Sequence, residues 1–112
     1  MRRRLAAVLL VLGMMIFVGN GVSWAAKSHM VEATEHTQAA VEHGKAGHAD
    51  VLVTHATAAL QHAEAAEKAK ANPHTAAAIK GLKEAVEHGK AGHADVATKA
   101  AEGALTHLQA VK

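Results

Sequence analysis

Apolar residues recur along residues 28–111 at the three- and four-residue spacing that is typical of amphipathic α-helices. At about 100° per residue, each of four segments places its apolar side chains in one sector and its polar ones opposite. The pattern predicts helices over roughly 28–43, 48–70, 73–88 and 93–111. The predicted core residues are Met30, Ala33, Thr37, Ala40, Val41, Leu52, Val53, Ala56, Ala59, Leu60, Ala63, Ala78, Ile79, Leu82, Ala85, Val86, Ala97, Ala101, Ala104, Leu105 and Leu108. Ten of these 21 residues are alanines, so we expect a thin core and a marginally stable protein.

Glycines and the single proline divide these segments from one another. Gly44 and Gly89 follow helical runs, where we expect the left-handed residue that ends a helix. Asn72 and Pro73 predict the N-cap and the first residue of the third helix. The fold class is therefore predicted to be all-α, an up-down-up-down four-helix bundle built from two duplicated αα-hairpins.

The two hairpins carry an exact internal repeat. Residues 41–51 and 86–96 have the same sequence, VEHGKAGHADV, at an offset of 45 residues. A repeat of this period indicates one supersecondary unit used twice, here about 28–71 and 72–112. The Gly-Lys segments lack the spacing of a phosphate-binding P-loop, so we interpret them as turns.

The N-terminal segment has the pattern of a secretory signal peptide. Three arginines follow Met1, residues 5–18 form an apolar run, and Ser23-Trp24-Ala25 offers small residues before a cut. We predict a signal peptide over 1–25 and a mature domain over 26–112, located in the periplasm. The alternative is an uncleaved membrane anchor, although glycines and Asn20 interrupt the span that it would need.

The composition of residues 26–112 excludes several classes of function. This part contains no Arg, Phe, Trp or Tyr, and its 9 Lys nearly balance 10 Asp and Glu. It therefore lacks the aromatic rings that stack on bases and the arginines that form bidentate hydrogen bonds with phosphates, which argues against nucleic-acid binding. The whole chain has no cysteine, so disulfides and thiolate metal sites are excluded. With Ser28 as its single serine and little room for a pocket, the domain is not predicted to be an enzyme.

All ten histidines lie in this same part of the chain, and most are spaced by seven residues. Residues seven apart lie on one face of a helix but about 10 Å apart along it, too far to share one ion. In antiparallel hairpins that fold about 45/46 and 90/91, however, histidines of neighbouring helices meet in pairs. The predicted metal ligands are the pairs His29 with His62, His36 with His55, His43 with His48, His74 with His107, and His88 with His93.

The position between the last two pairs would join residues 81 and 100, which are Gly81 and Ala100. Both members of that pair lack histidine together, which indicates that the pair is the functional unit. The handedness of the hairpin decides whether the paired histidines face each other or the neighbouring hairpin, and the sequence leaves this open. Further ligands are also open: Glu32, water or a residue of the other hairpin.

Neutral imidazole suits copper(II), nickel(II) and zinc(II), and the general affinity order peaks at copper(II). We therefore predict a protein that binds several divalent ions, copper preferred, as a metal buffer. If the leader were cut after Ala26, His29 would stand third from a free amine and form a separate copper or nickel site. The alternative function is a helical adaptor that contacts envelope proteins and whose histidines sense pH; the sequence does not identify a protein partner.

The chain resembles the small metal-binding protein (SmbP-like) family of small exported bacterial proteins. The resemblance rests on the two VEHGKAGHADV segments, the six seven-spaced histidines of the first hairpin, and the element from Ala97-Thr98-Lys99 to His107, and it covers 28–112. It implies a periplasmic four-helix bundle that binds several copper ions, accepts other divalent metals, and buffers or sequesters metal. The departures at Gly81 and Ala100 imply fewer sites than in a fuller relative.

Overall fold

The computed structural model describes residues 22–112, with side chains from Ser28 onward, and this part of the chain is helical without strands. The four helices are α1 (Val22–Lys45), α2 (Ala49–Ala69), α3 (Pro73–Lys90) and α4 (Ala94–Ala110). The predicted start of the first helix at residue 28 is too late, because no Gly or Pro between 22 and 28 interrupts the helix. Residues 1–21 of the predicted signal peptide lie outside the described residues.

The helices form the predicted four-helix bundle. Helix α1 packs against α2 and α4, and α3 packs against the same two helices. Since consecutive helices are joined by short connections, neighbours run antiparallel and the topology is up-down-up-down. Each hairpin thus brings one pair of helices together along its length, α1 with α2 and α3 with α4.

The turn of each hairpin ends on a left-handed glycine, but not the predicted one. Gly47 has φ 83° and Gly92 has φ 82°, the conformation that glycine adopts without steric cost. In the first turn, the Gly47 N–H donates to the Gly44 carbonyl at 3.0 Å and the His48 N–H to the His43 carbonyl at 2.9 Å. The second turn repeats both bonds. These are the two hydrogen bonds of a Schellman motif, and they fix His43 and His48 next to each other.

Gly44 and Gly89, predicted as the left-handed residues, instead lie inside α1 and α3 and are buried. A Cβ on Gly44 would overlap the Thr98 hydroxyl of α4 and lie 2.6 Å from a methyl of Leu52. A Cβ on Gly89 would lie 2.5 Å from a methyl of Val53. The sequence prediction was wrong because each GKAGH segment contains two glycines between two helical runs. Either could supply the left-handed residue, and only packing distinguishes their roles. Gly44 and Gly89 allow close approach of helices.

The connection between the hairpins follows the prediction. The Asn72 side chain accepts a hydrogen bond from the His74 N–H at 2.8 Å, and Pro73 occupies the first turn of α3. The Asn72 N–H donates to a carboxylate oxygen of Glu67 at 2.9 Å, which ties the connection to the end of α2. Asn72 therefore fixes the start of α3 through contacts with both α3 and the end of α2.

The core is the apolar sector that the periodicity predicts. Leu52 and Leu82 are its largest fully buried side chains, and most of the others are alanines. Six members of the predicted core are only partly buried at its margin: Met30, Val53, Leu60, Ile79, Val86 and Leu105. Because alanine side chains are short, neighbouring helices lie close together, and histidines at the margin of one helix reach those of the next.

Candidate metal centre

The first hairpin brings its six histidines together in three cross-helix pairs, ring to ring. The Nδ1 atoms of His29 and His62 lie 2.9 Å apart, and those of His36 and His55 lie 3.4 Å apart. At the turn, the ring centroids of His43 and His48 are 6.2 Å apart. The structure therefore settles the handedness that the sequence left open: the paired histidines face each other within one hairpin.

The second hairpin repeats this geometry at the two pairs it retains. The Nδ1 atoms of His74 and His107 lie 3.3 Å apart, and the ring centroids of His88 and His93 lie 6.4 Å apart. Between them, the missing pair is a point of close helix contact. A Cβ on Gly81 would lie 3.3 Å from the Ala100 carbonyl oxygen.

The first hairpin also contains diagonal ring contacts that the sequence analysis missed. The rings of His36 and His62 are parallel within 6° with centroids 5.8 Å apart, and those of His43 and His55 within 5° at 5.4 Å. Side chains lean toward the N-terminus of their own helix, so in antiparallel helices they lean in opposite directions. This opposite tilt of the side chains could have predicted the diagonal ring contacts from the sequence. They join the six rings into one continuous row, which the second hairpin lacks.

A carboxylate completes a three-donor group on this row. One oxygen of Glu32 lies 3.7 Å from Nε2 of His36 and 3.8 Å from Nε2 of His62. We call Glu32, His36 and His62 the Glu32 triad; within the part of the chain that the structure describes, it is the group of three or more donors compact enough to hold one ion. The three side chains are between 7% and 18% exposed, so they are largely shielded from competing water.

The two contacts of Glu32 with the imidazoles need little shortening to hold an ion, and the donor atoms of the triad all lie within 4.8 Å of one another. Bonds of about 2 Å to one tetrahedral ion place its donor atoms roughly 3.3 Å apart, a few tenths of an ångström closer than the Glu32 contacts. Glu32 is the acid that the sequence analysis left open as a further ligand. His62, however, combines with His36 of the neighbouring pair, whereas the pairing rule joined it to His29.

A comparison with protein-family models identifies the chain. The model described as "Small metal-binding protein" matches residues 3–111, which include both hairpins. The chain belongs to this small metal-binding protein family. A search of curated protein sequences found no match.

Membership of the small metal-binding protein family agrees with the donor chemistry and indicates binding rather than catalysis. The histidine pairs and the Glu32 triad offer imidazole nitrogen and carboxylate oxygen, the donors that divalent transition metals accept in proteins. None of the helices in residues 22–112 has the length and apolarity that a membrane span requires.

Burial favours the neutral form of two imidazoles of this small metal-binding protein. Burial lowers the pKa of His55, and the neighbouring His36 and His43 lower it further. Burial also lowers the pKa of His62; Glu32 opposes this shift, while His29 and His36 add to it. A neutral ring has a free lone pair for a metal, so both shifts extend the pH range in which these nitrogens can act as ligands.

The same shifts predict acid sensitivity of the metal-free protein. In the unfolded chain, His55 and His62 take up protons as the pH falls through about 6.5. In the folded protein their lowered pKa values delay this uptake, so the unfolded state binds more protons and the free energy of unfolding decreases. We expect the melting temperature in a chelating buffer to be nearly constant from pH 8 to 7 and to fall below about 6.5, until the two rings are protonated in the folded protein as well.

The double variant His55→Gln/His62→Gln should show a weaker pH dependence of the melting temperature. The control variant His93→Gln, at the exposed turn, should keep the wild-type pH dependence. A melting temperature that rises on acidification, or that falls equally in the double variant and the wild type, would contradict the assignment to His55 and His62.

Proposed function

We propose that this protein is exported and buffers divalent metal ions outside the cytoplasm, with copper(II) as the preferred ion and nickel(II) and zinc(II) as weaker occupants. The Glu32 triad is the observation that carries this proposal. Two imidazole nitrogens and one carboxylate oxygen converge there, largely shielded from water.

The chemistry of the donors favours copper(II). Borderline nitrogen donors bind first-row divalent ions in an order that peaks at copper(II). Copper(I) prefers cysteine and clustered methionine, and residues 26–112 contain no cysteine and only Met30. Calcium sites use several oxygen donors, whereas the triad has one carboxylate.

A buffer role is supported by the number and accessibility of the donors. Five histidine pairs lie at the margin of the core, and His48, His74 and His93 are exposed. Two neutral imidazoles form a weaker site than three or four donors, so most pairs would exchange metal readily. Export is supported by the basic start and apolar run of residues 1–18, and the predicted cut precedes Ala26.

A metal titration tests this function. We expect purified protein to bind several equivalents of copper(II) at pH 7, to bind nickel(II) and zinc(II) more weakly, and to bind no calcium(II) in the control titration. Binding one equivalent or none would instead favour the adaptor function. Mass spectrometry of protein recovered from the periplasm reports the processed N-terminus and tests export.

Three variants connect the binding to the histidine row. His36→Gln removes a ligand from both the triad and a pair, while His55→Gln removes a ligand from that pair alone. We expect copper(II) capacity to fall in both single variants and in the double variant, with the larger loss of affinity for His36→Gln. Wild-type uptake in all three would refute metal binding by paired histidines.

A further inference from the structure

The Glu32 triad and the histidine pairs use opposite nitrogens of the same rings. His62 directs Nδ1 at His29, 2.9 Å away, and Nε2 at Glu32, 3.8 Å away. His36 directs Nδ1 at His55, 3.4 Å away, and Nε2 at the same carboxylate, 3.7 Å away. Both rings therefore stand between two possible positions for an ion.

A neutral imidazole cannot serve both positions at once. One of its nitrogens carries a hydrogen and only the other has a lone pair in the ring plane. If His62 binds an ion through Nε2, its Nδ1 carries the hydrogen and donates it to Nδ1 of His29. If His62 binds through Nδ1, its Nε2 hydrogen faces Glu32. The triad and the two adjoining pairs therefore compete for the same lone pairs.

We propose that the first hairpin takes its first divalent ion into the Glu32 triad, and that excess metal moves His36 and His62 to Nδ1 ligation in their pairs. This inference rests on the proposed function and adds an order of filling to it. One ion in the triad uses three donors, one of them negatively charged. The two-pair arrangement holds two ions on the same rings, with two neutral donors each.

The relative stability of the two arrangements depends on metal supply. When metal is scarce, each ion gains most from three converging donors. The rings of His29 and His55 then accept hydrogen bonds from the ligating rings and orient them, as outer partners of metal-bound histidines commonly do. When metal is abundant, mass action favours the arrangement with two ions. The site therefore holds the first ion tightly and exchanges later ions readily.

The second hairpin provides no such alternative. The offset of 45 residues places Ala77 at the position of Glu32 and Gly81 at that of His36. Its pairs His74–His107 and His88–His93 are separated by this gap, and no diagonal ring contact joins them in the described structure. Tight binding of the first ion is thus a property of the first hairpin.

Copper(II) titrations of the full protein, followed by equilibrium dialysis and electron paramagnetic resonance, test the order of filling. In the wild type, we expect one spectral species below one equivalent and its replacement by a second species at higher loading. Glu32→Gln should weaken binding of the first equivalent at least tenfold, since even outer partners of metal ligands contribute about 10–100-fold. Capacity at saturation should not change, because every pair remains.

Two further variants make the test specific. Glu35→Gln alters an exposed carboxylate of the same helix and should match the wild type in both measurements. His29→Gln removes one pair but keeps a hydrogen-bond acceptor for His62, so it should lower the capacity at saturation and affect the first equivalent much less. Glu32→Gln and His29→Gln should therefore change different quantities.

The inference is overturned if Glu32→Gln binds its first equivalent as tightly as the wild type, or if His29→Gln weakens the first equivalent as much as Glu32→Gln does. In either case several equivalents would still bind, and the proposed function would stand. If the wild type itself binds no copper(II), the proposed function fails as well.

Discussion

Replacing Gly44 with alanine is expected to destabilise the protein by about 2 kcal/mol and to lower its melting temperature by roughly 10 °C. The added methyl would overlap the Thr98 hydroxyl and lie 2.6 Å from a methyl of Leu52, which is fully buried. Thr98 cannot turn away freely, because its hydroxyl donates to the Ala94 carbonyl at 2.6 Å. The helices α1 and α4 must therefore move apart at the turn end of a thin core.

Gly103 provides a matched control, because it also lies inside a helix but faces open space. An added Cβ there meets no atom within 4 Å, so Gly103→Ala should stabilise the protein by about 0.5–1 kcal/mol through helix propensity alone. Thermal denaturation of metal-free protein measures both variants. Equal shifts of the same sign would show that Gly44 does not permit close helix packing.

Removing the clashing hydroxyl should recover part of the loss. In Gly44→Ala combined with Thr98→Ala, one of the two overlaps is absent and the contact with Leu52 remains. The two substitutions should therefore be non-additive, with the double variant more stable than the sum of the single changes predicts. Strict additivity would place the cause of the destabilisation elsewhere than at this contact.

The helices, the core and the five histidine pairs could be predicted because each depends on a repeating interval in the sequence. The helical period determines which residues face inward, and a seven-residue interval keeps histidines on one face. Antiparallel pairing then depends only on the position of the turn. The identical turn segments, at 41–51 and 86–96, locate that position twice.

The remaining features depend on packing in three dimensions, which these intervals do not specify. The two glycines of each turn segment are equivalent by composition, yet Gly47 supplies the left-handed turn while Gly44 permits helix contact. The handedness of the hairpin and the diagonal contact of His36 with His62 likewise depend on the lean of side chains across a close interface. The Glu32 triad follows from that lean, so pairing alone could not identify it.

Installing the missing donors in the second hairpin should create a second tight site. The substitutions needed are Ala77→Glu and Gly81→His. His107 already occupies the position in the second repeat that His62 occupies in the first. The host geometry is suitable: the rings of His74 and His107 have centroids 5.6 Å apart, compared with 5.2 Å for His29 and His62. We expect the double variant to bind two equivalents of copper(II) tightly and the wild type to bind one.

The new histidine has a structural cost that can be measured separately. A Cβ on Gly81 would lie 3.2 Å from Cβ of Ala104 and 3.3 Å from the Ala100 carbonyl oxygen, so α3 and α4 must separate by a few tenths of an ångström. We expect metal-free protein to lose about 1 kcal/mol, because overpacking is partly offset by the gain in helix propensity over glycine. Copper(II) bound to the folded state alone should raise the melting temperature again.

The single substitutions distinguish the contribution of the carboxylate to copper(II) affinity from that of the imidazole. Ala77→Glu alone adds an acid without a second nitrogen, and Gly81→His alone adds a nitrogen without the acid, so each should leave one tight equivalent. If the double variant also binds only one, then matching donors on a matching hairpin do not suffice, and tight binding in the first hairpin requires the continuous row of six rings. A second tight equivalent in the double variant alone would assign the affinity to the three donors themselves.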